Sequence, residues 1–172
     1  MSLNYPRSGL NNVGMYQISG IPFVTSSLAS EVPGPDDDSQ SQPVRVMFPF
    51  VTKFITIRNT GINELRVGFS ADGVVAPGEQ LASENTEKAA NTGRNYFLIP
   101  TGSGGADSNG NAQSIETFEV RCKEIHFLSN AAKQNSPGNA QATSFSLFAG
   151  LTGILASEFP VLTGSNGFSG IG

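Results

Sequence analysis

The run from Phe48 to Asn59 constrains the fold of this chain more than any other stretch. It is rich in β-branched and aromatic side chains, the residue types that favour strands. The turn signal Asn59-Thr60-Gly61 follows, and then a second run, 63–69, in which apolar residues alternate with polar residues or glycine. This order predicts a β-hairpin. Because both faces of the first run are mixed, with Ile55 and Ile57 on one side and Phe54 on the other, we expect it to be covered on both faces or to lie at the centre of its sheet. The second should have one face on a core and one in water.

Shorter strand patterns recur along the rest of the chain, and turn signals separate them. Residues 79–93 are expected to be a loop with at most one short helix. The region 115–128 alternates cleanly up to Lys123 and then changes phase, which predicts a bulge or a bend. About eight or nine short strands without a long helix predict an all-β sandwich of two sheets, of jelly-roll or immunoglobulin-like type. The shorter strands are expected at 15–18, 21–25 (where Pro22 indicates an edge position or a strand start), 74–76, 95–100, 144–151 and 159–163.

Composition narrows the possible functions. The chain has 172 residues, a net charge of −4 and 14% charged residues, well below the average of about 25%. One domain of this length can bury a sufficient core. The acidic balance argues against non-specific nucleic-acid binding, which needs a basic face. A low-charge surface suits a subunit buried among neighbours, although monomeric lectin-like domains share it.

Targeting and redox signals are scarce. With one cysteine, Cys122, the chain forms no internal disulfide. Its first residues, Met1 to Arg7, show no apolar run of signal-peptide length. No stretch approaches the ~20 apolar residues of a membrane helix. We therefore expect a soluble protein made in a cytosol.

The residue types that carry chemistry are also sparse. A triad or a histidine-based metal site would have to use the single histidine, His126, which we predict to lie at the surface or rim of the sandwich. Cys122 falls on the apolar phase of its strand, so we predict a buried, inert thiol. The loops 36–38 and 102–111 carry aspartates or glycines but lack the spacing of a calcium loop or a P-loop. We expect no enzyme, no metal and no cofactor. Four glutamates lie among Arg and Lys and predict cross-strand charge pairs: Glu64, Glu116, Glu119 and Glu124.

Six segments carry a resemblance to a known family: 19–25, 48–59, 96–98, 120–125, 149–154 and 162–165. In this order and spacing they resemble the penton (vertex) proteins of large icosahedral double-stranded DNA viruses of the nucleocytoplasmic group. Each segment is a strand with a turn, and 48–59 is the strongest. The loops 31–43 and 101–113 match no pattern of that family.

The resemblance implies a single jelly roll of about eight strands in two antiparallel sheets, five copies of which close a capsid vertex. Its implied partners are copies of itself in a homopentamer, a major capsid protein with a double jelly roll and minor capsid proteins under the vertex. It leaves room for an indirect contact with an inner membrane and implies no nucleic acid. The implied location is the virion, assembled in the host cytoplasm.

Three regions follow from these patterns. Residues 1–12 form an N-terminal arm, which either frays or docks on a neighbouring subunit; 13–163 form the jelly-roll domain; 164–172 form a flexible C-terminal tail. A five-fold ring joins one patch to a different patch on the next copy. We predict the contacts in the arm and in the loops at one end of the sandwich, at Leu3, Tyr5, Arg7, Pro33, Asp36 and Asp37.

Two other classes of function remain open. A glycan- or receptor-binding decoration or spike domain would carry a ligand pocket in its loops and need no ring. An enzyme on a jelly-roll scaffold would place two acids opposite each other across a concave sheet.

Overall fold

The computed structural model describes residues 20–27, 32–35, 43–76, 95–101, 114–131 and 142–160. Within them the chain forms eight strands and two 3-10 helices, η1 (Asp72–Val74) and η2 (Ala156–Glu158). The strands are β1 (Ile21–Ser26), β2 (Val44–Met47), β3 (Phe50–Asn59), β4 (Leu65–Gly68), β5 (Tyr96–Ile99), β6 (Ile115–Phe118), β7 (Glu124–Ser129) and β8 (Phe145–Leu155).

The strands form two antiparallel four-stranded sheets. Sheet I has the order β1-β8-β3-β6, and sheet II has the order β2-β7-β4-β5. The first strand thus pairs with the eighth, the second with the seventh, the third with the sixth and the fourth with the fifth. This is the order of one long antiparallel ribbon rolled up on itself, which is the jelly roll. The predicted sandwich is confirmed, and the order distinguishes it from the immunoglobulin type.

The core lies between the two sheets and follows the alternation of each strand. Ile55 and Ile57 of β3 are fully buried, as are the inward residues of β4, β7 and β8. The rings of Phe127 and Phe145 stack across the sandwich with their centroids 4.1 Å apart. Burying one such aliphatic or aromatic side chain contributes about 1.5–3 kcal/mol, so these positions fix which face of each strand turns inward.

The predicted hairpin is wrong, although its first strand is central as expected. β3 lies between β8 and β6 in sheet I, whereas β4 belongs to sheet II. The turn between them crosses from one sheet to the other and is held by the buried Asn59. The Asn59 side-chain amide donates to the carbonyls of Asn63 and Pro100, each at 2.8 Å, and its oxygen accepts from the Gly61 N–H at 3.0 Å.

The phase change near Lys123 marks a second crossing between the sheets rather than a bulge. β6 ends in sheet I at Phe118, and β7 starts in sheet II at Glu124. Thr52 of β3 holds the segment between β6 and β7 in place. Its hydroxyl donates to the Val120 carbonyl at 2.7 Å and accepts from the Cys122 N–H at 3.0 Å. The alternation of apolar residues changes phase because β6 faces the core from sheet I, whereas β7 faces it from sheet II.

Four other predictions change. Residues 72–74 form η1 where a strand was expected at 74–76. β8 continues past the expected strand 144–151 to Leu155, and the Thr152 hydroxyl donates to the Val51 carbonyl at 2.8 Å. Residues 159–160 follow η2 and are not a strand, and β2 was not predicted. The expectations for 15–18, 79–93 and 161–163 lie outside the described residues.

Candidate functional site

The two side chains with the most reactive chemistry are both buried. Cys122 is confirmed as a buried free thiol, and burial raises its pKa to about 11, so it is protonated at neutral pH. His126 is 7% exposed, which corrects the prediction of a surface or rim histidine. It lies between β2 and β4, opposite Arg45 and Gly68, and burial lowers its pKa. Its Nδ1 atom has no hydrogen-bond partner in the described structure.

The four sheet-borne glutamates do not converge on one point. Glu124 forms the expected cross-strand ion pair with Arg45. Glu64 instead accepts a hydrogen bond from the Asn130 side-chain amide at 2.6 Å. Glu116 lies opposite Ile57 in the register of β3 and β6, and Glu119 follows the end of β6. Among the described residues, no three His, Cys, Asp or Glu side chains are grouped as a metal site would require.

The outer face of sheet II is covered by the segment that follows β4. Val74 and Val75 pack on Leu128 of β7, and all three are buried. Arg66 is 4% exposed beneath this cover. Its Nη1 donates to the Val74 carbonyl at 3.1 Å and its Nε donates to the Asn130 Oδ1 at 2.8 Å. Its guanidinium lies over the Tyr96 ring, 4.8 Å from the centroid. Hydrogen bonds and an aromatic face thus compensate the buried charge.

The outer face of sheet I is different, because no described segment covers it. Val24 of β1 is 73% exposed, and it lies opposite Phe148 of β8, which is 43% exposed. The Phe148 ring contacts Phe54 of β3 at a centroid distance of 5.8 Å. Thr56 and Thr117 continue the row with a hydroxyl–hydroxyl hydrogen bond of 3.0 Å. The result is an apolar and hydroxyl-bearing surface that spans four strands.

Among the predicted contact residues, the structure describes Pro33. It is buried, and its carbonyl accepts a hydrogen bond from the Ser129 N–H at 2.9 Å. Pro33 lies near the end of the sandwich at which Val32 pairs with Thr143. β1 begins towards the other end, where Ile21 lies opposite Leu151 of β8. The contact prediction for the remaining residues lies outside the described part of the chain: Leu3, Tyr5, Arg7, Asp36 and Asp37.

The outer face of sheet I was missed as a candidate surface. The available signal was Phe54, which is out of phase with Ile55 and Ile57. An apolar residue in that phase predicted a strand covered on both faces or central in its sheet, rather than an open apolar surface. In the structure Phe54 is half-buried, with its ring on the open face beside Phe148.

No family model, curated protein or solved structure matches the chain. Within the described ranges the two helices are three-residue turns, and neither has the length or hydropathy to cross a membrane.

Proposed function

We propose that the chain is a structural capsid protein, a penton that assembles as a homopentamer at the five-fold vertices of an icosahedral virus. The observation that carries the proposal is the strand order, since viral capsid subunits commonly use the jelly roll. Five of the six segments that resemble vertex proteins coincide with strands β1, β3, β5 and β8 and with the crossing into β7, and the sixth, 162–165, lies outside the described residues. The resemblance therefore concerns the elements that build the framework.

The mechanism is mechanical. Five copies close the opening that hexagonally packed units leave at a vertex, and each copy joins the next through two different patches. The outer face of sheet I offers an apolar surface for such a contact. Contiguous apolar patches are uncommon on the surface of monomeric proteins, and they often mark interaction sites.

The proposal extends to partners and location. A double jelly-roll major capsid protein would surround the vertex, with minor capsid proteins beneath it and an inner membrane in indirect contact. The virion is the proposed location, with assembly in the host cytoplasm. Catalysis, nucleic acid and cofactors have no role in this mechanism.

Native mass spectrometry of the full chain tests the function directly. We expect a dominant species of five times the 18.0 kDa chain mass as the protein concentration rises. Negative-stain images of that species should show closed five-membered rings. A stable dimer or trimer would contradict the proposal and favour the alternative of a glycan- or receptor-binding decoration domain.

A further inference from the structure

The outer face of sheet I lies beside the edge of β1 that no other described strand pairs with, and the N-terminal segment of the chain ends at this edge. We propose that this face binds residues 1–19 of a neighbouring copy of the chain. The proposal rests on the proposed function, because it names the contact that links one subunit to the next.

The face has the chemistry of a binding surface for an apolar chain. Its central row runs from Val24 through Phe148 to Thr56 and Thr117, one residue from each strand. The neighbouring row places Pro22 opposite Gly150 and Phe54. Neither row contains a charged residue. Along these two rows a ligand meets methyl groups, aromatic rings and hydroxyls, with no charged group to desolvate. The next row of the face carries one charge, the exposed guanidinium of Arg58.

The edge of β1 adds backbone groups to this face. The Ser27 N–H donates to the Phe145 carbonyl at 3.0 Å, which fixes the alternation along β1. Residues in phase with Ser27 direct their backbone groups towards β8, and the residues between them direct theirs away from the sheet. The N–H groups of Val24 and Ser26 therefore face outwards, and Pro22 has no N–H to offer. An extended segment could bond to this edge at 24–26.

The N-terminal segment fits this surface in composition and reach. Its 19 residues include one charged side chain, Arg7. Extended, they can span up to about 65 Å, against a width of roughly 15 Å for four strands. The segment can therefore reach beyond its own subunit. Its apolar and aromatic residues are Met1, Leu3, Tyr5, Leu10, Val13, Met15, Tyr16 and Ile18.

The register of β1 excludes the tightest return of the segment onto its own sheet, a two-residue loop at 19–20. The commonest hairpin loop has two residues and brings the residues on either side of it into a hydrogen-bonded pair. A loop at 19–20 would require the backbone groups of Ile21 to face the returning strand. Ile21 instead pairs with Leu151 of β8, in the phase whose backbone groups face that strand. Gly20 is exposed, and a Cβ built on it meets no atom within 4 Å.

Disulfide trapping between two differently tagged full-length chains tests the contact. One chain carries Val24→Cys, and the other carries Met15→Cys or Tyr16→Cys, so that both faces of the segment are sampled. Cys122 is buried, so we expect it to form no disulfide with the introduced cysteines. The matched control places the acceptor at Met47→Cys, which is 63% exposed on the edge strand of sheet II. We expect the mixed disulfide dimer with Val24→Cys to exceed the Met47→Cys control severalfold under mild oxidation.

Three results would overturn the proposal. The first is a mixed dimer no more abundant than in the control. The second is dominant pairing of Val24→Cys with itself, which would mean that two copies meet face to face. The third is an internal disulfide in a chain carrying both substitutions, with no mixed dimers, which would place the segment on its own sheet.

Native mass spectrometry of the same samples separates this inference from the proposed function. A pentamer without the mixed disulfide would overturn the segment contact and leave the vertex function standing. The mixed disulfide within a dimer or trimer would support the contact and contradict the five-fold assembly.

Discussion

Sheet II covers its outer face with its own chain, whereas sheet I presents an outer face that no described segment covers. On sheet II, η1 and the valines at its end lie over a buried Arg66. On sheet I, Val24 and Phe148 are exposed in the same register row. Both sheets have four strands and share one core, so strand number and core packing do not explain the contrast. It indicates that the sheet II cover contributes to folding, and the sheet I face is the surface that we propose for assembly.

The largest expected effect comes from removing the buried charge of sheet II. Arg66→Met keeps much of the aliphatic stem but removes the donors to the Val74 carbonyl and to Asn130. Charge-assisted hydrogen bonds of this kind contribute about 1.5–3 kcal/mol each. We expect the free energy of unfolding, measured by urea titration, to fall by roughly 2–4 kcal/mol.

Arg58→Met is the matched control on sheet I. Arg58 is exposed and points from the outer face of β3. Surface substitutions of this type change stability by about 0.5 kcal/mol or less. Equal losses at the two arginines would remove the distinction between a covered and an open face.

A methyl group at Gly68 tests how tightly η1 lies on sheet II. A Cβ built at Gly68 meets the Val74 Cγ1 at 2.6 Å and the Asn95 carbonyl oxygen at 3.3 Å. Val74 is fully buried and stiff at its first side-chain torsion, so η1 would have to shift. We expect Gly68→Ala to cost about 1–3 kcal/mol, the usual range for overpacking.

Gly20→Ala is the control for this test, because a Cβ there contacts nothing within 4 Å. It should be neutral or slightly stabilising in thermal melts, since it restricts the unfolded chain. A Gly68→Ala variant as stable as wild type would mean that η1 does not pack closely on β4.

Protonation of His126 gives a smaller, pH-dependent effect on sheet II. Burial lowers its pKa in the folded state below the ordinary histidine value of about 6.5, so the unfolded chain binds the proton more readily. The corresponding stability is present above pH 6.5 and is lost as the pH falls towards the folded-state pKa. Glu124 raises this pKa and Arg45 lowers it, but burial is the largest cause.

Urea titrations of wild type and His126→Gln at pH 7.5 and pH 5.5 measure this contribution. We expect wild type to lose more stability than the variant between the two values, because glutamine does not titrate. Equal losses would show that the carboxylates alone cause the acid sensitivity.

The contrast between the outer faces also shows where sequence reasoning succeeds and fails. The alternation of Leu65 and Val67 identified the inner face of β4. The same pattern predicted an outer face in water, yet Arg66 and Gly68 are both buried. A local pattern cannot show that residues 69–76 fold back over the strand. Likewise, the turn at 60–64 has a hairpin sequence, and the bonds of Asn59 to Pro100 that make it a crossing are distant along the chain.

The smallest effect on folding is expected on the open face itself. Val24→Lys replaces a side chain that is 73% exposed, so a long charged side chain can extend into water. We expect the free energy of unfolding to change by no more than about 0.5 kcal/mol, measured at a concentration where the chain is monomeric, because association would add apparent stability. The same substitution should reduce the assembled species in native mass spectrometry, since it places a charge in the apolar row. A loss of stability in the monomer would mean that the chain covers this face itself, and the contrast between the two sheets would disappear.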